Sequence, residues 1–215
     1  MGIVKSIKFC CFFTMFIQAL LLIGCASYAP AEKANMTPTD ILNRNAAVVN
    51  SAPCEFRVVV LKDRELAKNY VGIDPFKSSM IPVFLKVNNY GSDLIKVDIP
   101  DSSLSSDGGE SFSSLTIEQA VEIARRSDAE VVGWYIAFGV MGALVSGSNT
   151  ASVNKSLEED YHSKSFKPTL INTKSSAEGL IFFSVPADKQ KLLHSVTIQL
   201  LDLTSHKSRS VVVSF

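Results

Sequence analysis

The chain has 215 residues, 47% of them hydrophobic and 20% charged, with 21 basic residues balanced by 21 acidic ones. That composition excludes a wholly disordered, collagen-like or polytopic membrane chain, and the length suits one domain with appendages. Zero net charge and dispersed basic residues remove the electrostatic footprint of a nucleic-acid binder, so no nucleic-acid partner is expected.

Lys5 and Lys8 precede an apolar run from Phe9 to Ile23, interrupted only by Thr14 and Gln18. A basic stretch followed by such a run predicts a secretory signal over residues 1–24, too short for a comfortable membrane-spanning helix. The run ends in Leu22-Ile23-Gly24-Cys25. These four residues resemble the lipobox of bacterial lipoprotein precursors. The resemblance implies cleavage before Cys25, a diacylglycerol on its sulfur, and acylation of the new amino terminus. It also implies membrane attachment through that lipid, no other cofactor, and a place in the cell envelope. Ala26 after the cysteine implies sorting to the outer membrane, facing the periplasm, in a Gram-negative host. Each buried methylene contributes about 0.8 kcal/mol, and stable residence on a bilayer takes more than one chain. The alternative is a plain secretory peptide with a cysteine after its cleavage site.

Cleavage would remove Lys5, Lys8, Cys10 and Cys11, leaving 19 basic residues against 21 acidic ones. With Cys25 carrying lipid, Cys54 is the one remaining thiol, and no intramolecular disulfide is possible. It is read either as a small buried hydrophobe at a strand start or as an intermolecular partner.

Residues 25–53 read as the lipidated cysteine and a flexible tether, rich in Ala, Asn, Thr, Ser and Pro, with a helix-compatible patch around Asp40 to Val49. Ordered structure is expected from Cys54, in a domain spanning residues 54–215. Phe56 to Leu61 is dense in β-branched residues, and Lys62 to Asn69 suits one or two helical turns. Val83, Leu85 and Val87 alternate with Phe84, Lys86 and Asn88. Asn88 to Ser92 supplies a turn, and Ile95 to Ile99 alternates strictly until Pro100. Further strands are expected at Gly179–Val185, Ser195–Leu203 and Arg209–Phe215. Short strands at this spacing predict a mainly β fold, an immunoglobulin-like antiparallel β-sandwich, carrying a helical hairpin as an insertion.

Ser102 to Ser114 reads as a Ser/Gly/Asp loop, in which Asp107-Gly108-Gly109 marks a tight turn rather than a calcium loop. The insertion spans residues 115–166. Thr116 and Gln119 have capping-box spacing ahead of a helix with Ile117, Ala120, Val121 and Ala124 on one stripe. Val153, Leu157 and Tyr161 stand at i, i+4, i+8 of another helix, with acids between them. From Val131 to Gly147 the 17 residues carry no charge. As a helix this run is about 26 Å long, short of the roughly 30 Å hydrocarbon core. Gly139, Ala143 and Gly147 place small residues on one face, the geometry of close helix packing. Three readings of this helix stay open: buried within the hairpin, packed on a partner or second copy, or entering a membrane. The whole resembles uncharacterised bacterial lipoproteins in which an immunoglobulin-like domain carries a helical hairpin, a likeness that implies no activity.

Catalytic raw material is sparse. His162, His194 and His206 fall in no metal-ligand motif, and no nucleophile elbow, P-loop or dinucleotide fingerprint is present. Glu158 and His162 are one turn apart and read as a solvated pair before a metal site. No metal and no catalytic residue is therefore expected. The expected function is a non-catalytic binding or assembly module that meets an envelope protein or its own copy through the Gly139–Ala143–Gly147 face. The alternatives are a membrane-active or channel-type component and an envelope hydrolase without a recognisable motif.

Overall fold

The structure is a computed structural model, and it describes residues 37–126, 155–203 and 206–215. In chain order its elements begin with α1 (Pro38–Leu42), β1 (Ala47–Ser51), β2 (Cys54–Val60), α2 (Arg64–Val71), β3 (Met80–Asn89) and β4 (Ile95–Ser106). They continue with β5 (Ser111–Leu115), helix α3 over 117–126, helix α4 over 155–164 and β6 (Leu170–Ile171). Last come β7 (Ser175–Ser184), β8 (Leu193–Asp202) and β9 (Lys207–Ser214).

Every pair of these strands is antiparallel, and the order is β1-β2-β3-β7-β5-β4-β8-β9, with β6 beside β4. The mainly β class with helical additions is thus observed. Instead of two separate sheets, however, the strands form one nearly closed, barrel-like sheet. β5 makes the join: Ser111 to Ser113 pair with β4, then Ser114 and Leu115 pair with Phe183 and Phe182 of β7. β4 bends to allow it. Asp98 pairs with Gln199 and the next paired residue is Ser103, opposite Thr197, so Ile99 to Ser102 form a bulge around Pro100. At the far ends of the sheet, Arg209 Nη1 donates to the Ala52 carbonyl at 2.8 Å, tying β9 to the β1–β2 turn.

The strands fold over one apolar interior. Phe56, Val58, Leu85, Val87 and Phe183 come from one side and Val97, Leu104, Val196, Ile198 and Val213 from the other. A second apolar cluster lies on the outer face of β2, β3 and β7, where α1, α2, α3 and α4 cover Val59, Leu61, Phe84, Leu180 and Phe182. Strands covered on both faces cannot alternate, and Met80 to Leu85 is accordingly a run of six buried residues. Pro82 accepts from the Leu61 N–H through its carbonyl but has no N–H to return the bond, and β2 ends at Val60, one residue before Leu61. Each buried Phe, Ile or Leu here contributes about 1.5–3 kcal/mol.

Two segments differ from expectation. Ser102 to Ser114 is a hairpin rather than a loop, because one strand face is solvated and hydroxyl side chains can fill it while Leu104 points inward. Order also begins ahead of Cys54, within the stretch read as tether. Thr37 and Asp40 cap α1 reciprocally, Ile41 is fully buried in the outer cluster, and β1 pairs with β2 from Ala47 to Ser51. Cys54 is buried, as one of its two readings had it.

Candidate functional site

The helix pair α3/α4 flanks the uncharged run of residues 131–147 in sequence. α3 starts on the capping box read from sequence: the Thr116 N–H donates to Gln119 Oε1 at 2.9 Å, and the Gln119 N–H donates to Thr116 Oγ1 at 3.2 Å. Ala120, Val121 and Ala124 are buried against the sheet, as the stripe predicts. α4 buries Leu157 and Tyr161, and the Tyr161 ring stacks on Phe182 at 4.9 Å between centroids.

Both helices are rooted on β7, two residues apart. Leu115, just before α3, pairs with Phe182, and Ser165, just after α4, bridges Leu180. Gly179 makes the second root possible. A Cβ there would lie 2.4 Å from the Phe166 nitrogen, so only glycine lets the chain come this close. At the opposite ends, Arg125 Nη2 and Glu158 Oε2 meet at 2.7 Å. Joined at β7 and again through Arg125 and Glu158, α3 and α4 run side by side in opposite directions.

The acids of α4 are distributed differently from a uniformly wet face. Glu158 pairs with Arg125 rather than His162, and Glu159 lies 3.7 Å from Lys155. Asp160 is buried and pairs with Lys164 at 2.7 Å. Lys164 Nζ in turn stands 5.6 Å from the Tyr70 ring centroid. Burial, with Glu178 and Asp160 nearby, pushes the Tyr70 phenol up to about 12.

Among the described residues no group of three or more His, Cys, Asp or Glu side chains is placed to hold a metal ion. His194 Nδ1 lies 3.4 Å from an Asp107 oxygen at the exposed tip of the β4–β5 hairpin. Burial raises the Cys54 thiol, which keeps it protonated and a poor nucleophile. No described helix is long and apolar enough to cross a membrane. Cys25, Gly139, Ala143 and Gly147 lie outside the described residues, as do the signal segment and the 131–147 run. Sequence reasoning missed the Arg125–Glu158 clamp, since 33 residues separate the partners and no spacing rule links them. It also missed Gly179, which the sequence placed at the head of an expected strand but which lies inside β7, where a glycine marks a close backbone approach.

The fold and this helix pair define a mainly antiparallel β protein with a helical hairpin rooted on its sheet. No family model matches the chain, and no curated protein matches it. Among solved structures, a functionally unknown protein from Listeria monocytogenes EGD-e is similar at 11% identity and a TM-score of 0.36, covering 89% of this chain and 98% of that one.

Proposed function

We propose that the protein is a lipid-anchored envelope protein that acts as a non-catalytic binding or assembly module. In this reading Cys25 carries the lipid. The body faces the periplasm, at the outer membrane in a Gram-negative host, and the Gly139–Ala143–Gly147 face meets an envelope protein or a second copy. The observation that carries the reading is the helix pair on either side of the uncharged segment in sequence, rooted on neighbouring residues of β7 and clamped through Arg125 and Glu158. A contact element needs that kind of fixed base. The buried Cys54 thiol supports the non-catalytic part. Two faces of strands packed across one core support kinship with an immunoglobulin-like sandwich, while the continuous path through β5 favours a partly closed barrel.

Photo-crosslinking probes at Gly139 and Ala143, in cells that are then fractionated, test this. A discrete protein adduct on membrane-associated chain, released to the soluble fraction by Cys25→Ser, is the expected result. Adducts to lipid, with the Cys25→Ser chain retained through alkaline carbonate, would make the membrane-active reading the better one. Absence of any adduct would overturn the contact role.

A further inference from the structure

We propose that residues 37–51, comprising α1 and β1, form a strap that releases from the folded body as a unit, baring the edge of β2 and the outer apolar cluster that receives Ile41. The first observation is burial. In that whole stretch only Ile41 is buried, whereas eight of the ten residues in β3 are. The second is pairing. Among the described residues β1 hydrogen-bonds to β2 alone, over five residue pairs, and its inward side chains, Ala47 and Val49, are only partly buried against the inner cluster. β2 keeps its own seven-residue register with β3 and its own buried Cys54, Phe56, Val58 and Val59, so it does not need β1 to remain in place.

Two small devices seat the strap. Thr37 and Asp40 close α1 on itself, with the Thr37 N–H and hydroxyl both 2.8 Å from Asp40 Oδ2. Arg209 holds the Ala52 carbonyl just past β1. Neither buries apolar surface. Segments with few buried contacts and an exposed ladder open below the free energy of global unfolding, in contiguous units. An edge strand of this kind is also where a sheet exchanges partners. Opening leaves β2 with unpaired N–H and C=O groups along one edge.

One consequence rests on the lipid-anchor reading. Release adds about 15 residues to the run between Cys25 and the body, which at full extension is roughly 50 Å of extra reach from the bilayer.

Amide hydrogen exchange on the full chain tests the strap, and it does so whether or not Cys25 is lipidated. Amides of residues 39–51 are expected to exchange at least about a hundredfold faster than those of β3 and β7. Ile41→Ser is expected to speed the strap amides by a further tenfold or more while leaving β3 and β7 unchanged. Thr37→Ala, which only removes the cap, gives the same pattern more weakly and covers the case in which the first variant folds poorly. Equal protection in β1 and β3, or acceleration of both alike by either substitution, would overturn the proposal.

Discussion

Gly179 shows how one position decides where a helix can sit. The chain leaving α4 passes directly over it, with the Phe166 N–H donating to the Leu180 carbonyl at 2.8 Å. A methyl group there would meet Phe166 and Ser165 backbone atoms at 2.4–2.7 Å, and backbone cannot swing aside as a side chain does. Gly179→Ala is therefore expected to cost about 1–3 kcal/mol in urea unfolding, the usual range for overpacking. Gly108→Ala is the control. Its nearest neighbour is the Ser106 hydroxyl at 3.8 Å, and the effect should stay within about 0.5 kcal/mol. Tyr70 makes a different residue-level prediction. Its phenol rises from the ordinary value near 10 to about 12, first through burial and then through Glu178 and Asp160. Between those values the unfolded chain has lost the proton and the folded chain still holds it, so stability falls as pH rises through that window. Tyr70→Phe removes this loss. Urea midpoints at pH 9 and pH 11 should drop less in the variant than in the wild type; equal drops would mean that the phenol ionises alike in both states.

At the scale of elements, what the sequence made legible follows from how local the determinants are. α3 could be read because its cap, Thr116 with Gln119, and its stripe, Ala120, Val121 and Ala124, all fall within three turns. β2, β8 and β9 announced themselves through β-branched residues, and β3 through the alternation of Val83, Leu85 and Val87, which two-sided burial replaces by a continuous run from Met80 to Leu85. The β4–β5 hairpin could not be read. Serine is indifferent to strand or loop, and only the inward Leu104 and the pairing of Ser103 with Ser113 reveal it. Pro100 looked like an end because proline normally removes a ladder bond. The strand instead spends it on a bulge, with the Ser114 hydroxyl donating to the Ile99 carbonyl at 2.7 Å. The helix-compatible patch around Asp40 to Val49 overlaps only the end of α1 and runs into β1, because one buried residue, Ile41, and a five-residue strand with Ala47 and Val49 partly buried give little periodicity to detect.

For the molecule as a whole, closure depends on contacts far apart in sequence. The join through β5 pairs Ser114 with Phe183, and the tie at the open side links Arg209 to Ala52; neither leaves a local trace. The candidate site divides in the same way. The stripes of α3 and α4 were legible, while their common root on β7 and the Arg125–Glu158 clamp were not. That geometry has a consequence for how folding and function separate. The outer apolar cluster draws described residues from both helices, which meet β7 at one end and each other through Arg125 and Glu158. Replacing 127–154 by a short Gly/Ser linker should then leave a cooperative thermal transition within about 4 °C of the wild type, equivalent to roughly 1 kcal/mol for a domain of this size. The exposed Arg125–Glu158 pair itself contributes under about 1 kcal/mol, so the expectation does not hang on it. A variant that melts early or binds a dye for exposed apolar surface would show that 127–154 completes the helical layer. A variant that folds but no longer forms the adduct mapped at Gly139 and Ala143 would place the contact role in the segment and the scaffold role in the sheet.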